Sequence, residues 1–161
     1  MILDKIVDRK KQEVSALKSC GISIPELFRD RAVEGTRGFK KALLDYSGVS
    51  VIAEVKKASP SKGVICADFD PVKIAMNYEK NGAQALSVLT DVDFFQGSLT
   101  YLMQVRETVK LPVIRKDFII DPLQIDEAKA HGADAILLIV AILDEVQIRD
   151  YQQQAAELGM D

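Results

Sequence analysis

The feature that most constrains this chain is an internal echo. Asp70-Pro71 opens a stretch that stops at Asn81-Gly82-Ala83-Gln84-Ala85-Leu86, and Asp121-Pro122 opens one that stops at His131-Gly132-Ala133-Asp134-Ala135-Ile136. In each copy the Asp suits a helix N-cap and the Pro suits the first helical position, where no N–H is needed. The Gly pairs end each helix, and an apolar run follows at once. A repeat of roughly 50 residues holding two strand–helix units predicts a parallel sheet covered by helices. Near-continuous apolar runs such as 136–140 fit strands buried on both faces.

The units follow in order. Strands are expected at 49–56, 85–90, 112–118 and 135–140. The helices between them carry Ile74, Ala75 and Tyr78, then Leu99, Leu102, Met103 and Val105, then Ile125, Ala128 and Ala130. A last helix spans about 144–158 and ends at Gly159. Before all this, 2–18 reads as an amphipathic helix through Ile2, Ile6, Val14 and Leu17, with Gly21 as its stop. Pro25 opens a short second helix through Glu26, Leu27 and Phe28. A third runs from Thr36 as N-cap through Phe39, Leu43 and Leu44 to Gly48. The organisation is thus a helical extension, 1–47, and four βα units, 48–161. The extension is either a flap over a site or packing against the core. On these residues an open doubly wound sheet stays possible, although no GxGxxG or GxxxxGK[ST] follows a strand.

Composition narrows the function classes. The 161 residues suffice for one domain with a sizeable core. A net charge of −3 argues against a nucleic-acid binder, whose surface is usually basic. The longest apolar run, 135–143, is nine residues, far short of the roughly 20 a membrane-spanning helix needs. Asp4, Lys5, Asp8, Arg9, Lys10 and Lys11 among the first apolar residues are not the pattern of a signal peptide, so none is expected. Cys20, Cys66 and the single His131 lack metal-site spacing, so no metal is expected, and a cytoplasmic location fits.

The chemistry concentrates in VIAEVKKASPSKG, residues 51–63. Strand alternation puts Ile52, Glu54 and Lys56 on one face and Val51, Ala53 and Val55 on the other. Burying either charge alone is costly, so the pair needs each other or a charged ligand; the plainer alternative is a solvated rim pair of little worth. Residues 58–63 then offer hydroxyls, an ammonium and a turn-prone backbone, which suits a phosphate. Ligands of parallel α/β folds bind beyond the carboxyl ends of the strands. That rule selects Glu54 and Lys56, Thr90 and Asp91, Lys116 and Phe118, with Phe94 and Phe95 in a neighbouring loop. Lys116 shares a face with Ile114 and Phe118. Two lysines converging in a partly dry pocket depress each other's pKa, giving a general acid; the structural alternative pairs Lys116 with Asp117 or Glu54. Arg115 turns to the other face as a packing or rim cation. Phe94 and Phe118 are core residues or the wall for a planar ring, and His131 fits a helix cap.

These residues resemble a family, the indole-3-glycerol-phosphate synthases of tryptophan biosynthesis. The likeness runs through Ile52-Ala53-Glu54-Val55-Lys56 with Ser59-Pro60-Ser61, Leu86-Ser87-Val88-Leu89-Thr90-Asp91 and Phe94-Phe95-Gln96-Gly97-Ser98-Leu99. It continues in Arg115-Lys116-Asp117-Phe118-Ile119, Gln124-Ile125 and Gly132-Ala133-Asp134-Ala135-Ile136-Leu137-Leu138-Ile139. The resemblance implies a (βα)₈ barrel of the TIM type with extra N-terminal helices. It implies a cofactor-free and metal-free lyase that closes 1-(2-carboxyphenylamino)-1-deoxyribulose 5-phosphate into indole-3-glycerol phosphate, losing CO₂ and water. Lys116 would be the general acid, Lys56 the cation near the carboxylate and the departing oxygen, and Glu54 the group that fixes Lys56. Ser59 would help bind the anionic substrate, while Phe94, Phe118 and Leu137 would wall the anthranilate ring.

The sequence stops after the fourth helix, with Met160-Asp161 reading as the lead-in to a fifth strand. The family's general-base glutamate lies on that strand, and most phosphate loops come later. The expectation is a half-barrel from the N-terminal part of the enzyme, inactive alone and prone to self-association through exposed edges. Two other readings stand beside it: a different phosphosugar barrel with a Schiff-base lysine at 56 or 116, and a non-catalytic half-barrel assembly module.

Overall fold

The computed structural model describes residues 1–29 and 35–161; residues 30–34 of the expected N-terminal extension lie outside the described residues. Helix α1 (Ile2–Cys20) buries Ile6, Lys10 and Val14, one face at four-residue spacing. It ends at Gly21, whose left-handed φ of 76° lets its N–H reach the Leu17 carbonyl. Helix α2 (Glu26–Arg29) buries Phe28. Helix α3 (Phe39–Leu44) is shorter than expected and opens at Gly38, φ 65°, instead of Thr36. Thr36 is engaged elsewhere: its hydroxyl donates to the Gly159 carbonyl at 2.5 Å.

The βα units follow as β1 (Ile52–Val55), a small hairpin of β2 (Ala58–Ser59) and β3 (Gly63–Val64), α4 (Pro71–Lys80), β4 (Ala85–Leu89), α5 (Leu99–Thr108), β5 (Val113–Lys116), α6 (Pro122–Ala130), β6 (Ala135–Ile136) and α7 (Glu145–Glu157). The main sheet is parallel, in the order β1-β4-β5-β6. Among the described residues the order never reverses, so these four strands hold no doubly wound switch point. Its two faces also differ. Ala53, Val55, Leu86, Val88, Val113 and Ile136 share one face and pack against α4 through α7, with Ala75, Leu102, Val105, Ile125, Ala128 and Tyr151 completing that core. Helices confined to one face are what a barrel wall requires. On the other face Ala85, Ile114 and Ala135 meet Phe39 of α3, which plugs the end where the strands begin.

Strands are shorter than their apolar runs. β1 starts only at Ile52, and Val49, Val51 and Ile52 are exposed, as suits an edge strand paired only with β4 among the described residues. β6 stops at Ile136, where its register with β5 ends. The expected lead-in at Met160-Asp161 has a structural counterpart. The Ile136 N–H donates to the Asp161 carbonyl and the Asp161 N–H to the Asp134 carbonyl, the evenly slanted pattern of a parallel neighbour. Residues 58–63, expected as a turn-rich loop, form with Val64 a small hairpin that pairs Ala58 with Val64 and Ser59 with Gly63.

The extension is tied to the barrel by side chains as well as by Phe39. The Arg37 guanidinium donates to the carbonyls of Arg106 (2.7 Å), Val109 (2.6 Å) and Leu111 (3.0 Å), and so caps the C-terminus of α5. The Arg37 N–H reaches Asp134 Oδ1 at 2.7 Å, and the Lys40 N–H reaches Asp161 Oδ2 at 2.8 Å. Burial pushes the Asp134 carboxyl up to about 6, against the opposing pull of the Val113 N–H and the Arg106 charge.

Both Asp-Pro caps form. Asp70 accepts from the Lys73 N–H, and Asp121 accepts from the Leu123 N–H while Gln124 Oε1 takes the Asp121 N–H in return. Asp121→Ala removes this reciprocal cap, and with it an ion pair to Lys18. The expected loss is about 1–2 kcal/mol, read as a lowered urea midpoint with unchanged slope.

Candidate active site

Strand alternation delivers three charged heads to one place. Glu54, next to last in β1, lies opposite Ser87 of β4, while Lys116 closes β5 opposite Leu89. Lys56 Nζ donates to Glu54 Oε1 at 2.5 Å, and Lys116 Nζ donates to Glu54 Oε2 at 2.9 Å. The Ser87 hydroxyl approaches Oε2 at 3.4 Å, and the Tyr78 hydroxyl donates to the Glu54 carbonyl at 3.2 Å. One carboxylate therefore stands between two ammonium groups: the two lysines converge as expected, and Lys116 also makes the Glu54 pair that the sequence offered as its structural alternative. Partial burial pushes the Glu54 carboxyl up, but the bonds and charges of Lys56 and Lys116 outweigh it and hold it below its usual range. All three heads remain about one-third exposed, so the cluster is worth little as stability and more as a fixed charge arrangement open to solvent.

Beside Lys56 lies a groove of about 590 Å³, lined by Ser59, Pro60 and Ser61 of the hairpin, Phe95, and Ile2 and Ile6 of α1. Its size is within the usual range for small-ligand sites. The Phe95 ring lies 6.0 Å from the Phe118 ring at 36°, a tilted pair. Phe94 is half-buried, its N–H held by Asp91 Oδ1 at 2.8 Å, and Leu137, just past β6, is half-buried as well. The structure thus brings Glu54, Lys56 and Lys116 into direct contact and sets Ser59 beside Lys56. It pairs Phe118 with Phe95. Phe95, selected with Phe94 by its loop position, lines the groove; the place of Ile2 and Ile6 there escaped the sequence reading, whose only signal was the apolar face of α1.

Beyond the strand ends lies a buried network that sequence reasoning did not find. Lys10 of α1 is 2% exposed, and its ammonium lies 2.8 Å from Asp117 Oδ1, 3.0 Å from Asp91 Oδ2 and 2.7 Å from Glu13 Oε2. Arg115, expected as a packing or rim cation, is buried on the helix-covered face, 3.1 Å from Asp117 and 3.0 Å from Glu127. The Thr90 hydroxyl donates to Asp117 Oδ2 at 2.6 Å. Burial opposes the charge on Asp117, but Arg115 and Lys10 hold its carboxyl far below the usual range. Burial likewise opposes the charge on Lys10, and Asp117 and Asp91 raise it above an ordinary lysine. His131 caps α6 and is buried, its Nδ1 2.8 Å from the Glu127 carbonyl. Burial lowers its pKa.

Residues 3–161 match the family model described as Indole-3-glycerol phosphate synthase. The chain belongs to the indole-3-glycerol phosphate synthase family. Proteins of that name from Desulfotalea psychrophila, Chlorobium phaeovibrioides and Chlorobium luteolum are 65%, 56% and 54% identical to it, each over 99% of the chain. The chain spans 62%, 62% and 61% of their respective lengths. Membership in this synthase family agrees with the one-sided helices and uninterrupted strand order of the sheet. No helix among the described residues is long and apolar enough to cross a membrane.

The family stretch Phe94 to Leu99 has a steric reason for its glycine. A Cβ on Gly97 would stand 2.3 Å from the Leu89 carbonyl oxygen, and the Gly97 N–H donates to the Asp91 carbonyl at 2.7 Å. The loop folds back onto the end of β4 so closely that only glycine fits.

Proposed function

We propose that the full-length protein carrying this chain is an indole-3-glycerol phosphate synthase. It closes 1-(2-carboxyphenylamino)-1-deoxyribulose 5-phosphate to indole-3-glycerol phosphate, with loss of CO₂ and water. The observation that carries the reading is the Lys56–Glu54–Lys116 cluster at the carboxyl ends of β1 and β5, beside a groove with hydroxyls and the Phe95 ring. A substrate with a carboxylate, a phosphate and an aryl ring needs separate cations and an apolar wall.

In this reading the Lys116 ammonium donates its proton to the substrate carbonyl oxygen as the aryl carbon attacks, so no alkoxide accumulates. Departure of the carboxyl group as CO₂ restores the ring's aromaticity, and the new hydroxyl then leaves as water. Lys56 faces the substrate carboxylate before it departs and the hydroxyl as it leaves. Glu54 holds both ammonium groups in place. Ser59 binds an anionic end of the substrate, and Phe94, Phe118 and Leu137 enclose the ring.

Full-length protein incubated with the open-chain substrate is expected to release one CO₂ per indole formed, with no lysine trapped by borohydride. No turnover would sink the proposal, as would a borohydride-stable adduct at Lys56 or Lys116 formed with a keto-sugar phosphate.

A further inference from the structure

Lys10 is the one lysine of α1 that is completely enclosed, and besides Glu13 on its own helix it bridges two carboxylates from the loops that follow different strands. Asp91 lies just past β4, and its Oδ1 accepts the N–H groups of Phe94 (2.8 Å) and Phe95 (3.2 Å). Asp117 lies just past β5, next to Lys116, and its Oδ1 accepts the Phe118 N–H at 2.8 Å. Asp91 Oδ2 is buried and makes no hydrogen bond of good geometry; its compensation is the Lys10 charge at 3.0 Å. Asp117 has Arg115 on its other side, whereas among the described residues Asp91 has no comparable second cation in contact. Without Lys10, two buried carboxylates would face each other across the gap between the strands. Like charges in a low-dielectric site must protonate or separate. Separation would carry the Phe94–Phe95 loop away from Phe118 and Lys116.

We infer that Lys10 is a positioning residue for the synthase reaction: its ammonium clamps the loops after β4 and β5 together, setting the spacing of the aromatic rings and the aim of Lys116. The inference rests on the function proposed above for Lys116. In this arrangement α1 acts on the chemistry without touching substrate through Lys10, by holding two anions at a fixed separation.

The test uses the full-length protein with Lys10→Met, which keeps the length of the side chain and removes its charge. With folding verified by circular dichroism, kcat/KM is expected to fall by about 10²-fold, the scale of an ångström-level misplacement. Amide exchange should accelerate at Phe94, Phe95 and Phe118 and stay unchanged in α4. Adding Asp91→Asn removes the repelling charge while keeping an oxygen for the Phe94 and Phe95 amides. The double variant should recover at least ten-fold in kcat/KM and regain protection at Phe118. If Lys10→Met alone does not fold, the double variant is expected to fold and to show these intermediate values; its failure to fold would overturn the clamp. Wild-type kcat/KM and wild-type exchange in Lys10→Met would overturn it, and so would a loss that Asp91→Asn does not relieve. Should wild-type protein turn over no substrate, the function proposal fails while the exchange pattern still decides the clamp.

Discussion

Lys116→Ala in the full-length protein is expected to lower kcat by about 10²–10⁴-fold, the usual contribution of a positioned general acid. KM should change much less. The variant keeps Lys56 bonded to Glu54 at 2.5 Å and keeps Ser59 in the groove beside it, so the anion contacts proposed for these two residues survive. It also frees Glu54 Oε2 from its 2.9 Å bond, leaving Ser87 at 3.4 Å as the nearest hydroxyl. Steady-state kinetics separate the effects, since loss of a group used only in the transition state lowers kcat and kcat/KM together. Near-normal kcat would remove Lys116 from the acid role. A large rise in KM with kcat intact would reassign it to ground-state binding.

Asp117→Ala should show the largest stability effect. Its carboxylate is the shared partner of Lys10 and Arg115, both buried. Removing it leaves cations with reduced compensation, a change that typically costs about 3–5 kcal/mol. Against a total stability of about 5–15 kcal/mol, that is a large fraction, corresponding to a fall of about 6–20 °C in Tm. The pH dependence follows from the sign of the shift. Asp117 has a folded-state pKa depressed by Arg115 and Lys10, so its contribution is present above the unfolded value and lost as pH falls toward the folded one. The gap between wild type and variant should thus be full near neutrality and narrow only below about pH 4. Urea unfolding at pH 7 and pH 3 checks both parts, and an equal gap at the two values would contradict the assignment.

How much of this was legible in the sequence depended on how local each determinant was. The Asp-Pro caps at 70–71 and 121–122 were readable because a cap involves only the next three residues. Glu54, Lys56 and Lys116 were readable because two-residue alternation fixes the face of a strand whatever lies around it. Lys10 was not. It sits among Asp8, Arg9, Lys11 and Glu13, and although it falls four residues from Ile6 and from Val14 on the apolar face of α1, that spacing names no partner for a buried cation. Its environment is made by residues 91 and 117, which only the tertiary fold brings near. Strand ends were misjudged for a related reason: apolar character at Val49 and Val140 persists where no neighbouring strand continues the ladder. The hairpin at 58–64 was hidden by Pro60 and the serines, whose turn chemistry is the same in a loop and in a tight antiparallel pair.

The grip of Thr36, Arg37 and Phe39 on later parts of the chain has a consequence for synthesis. The Thr36 hydroxyl bonds a carbonyl 123 positions downstream, and Arg37 needs carbonyls at 106, 109 and 111 and the carboxylate of Asp134. This segment leaves the ribosome before any of those partners exists. At about 5–20 residues per second, the wait for Gly159 alone is roughly 6–25 s. During that interval Phe39 has no plug to form, because Ala85 and Ala135 have yet to be placed. The first helices to be made are therefore among the last to dock, and a nascent chain paused before residue 134 exposes Phe39 to whatever apolar surface or chaperone is nearest.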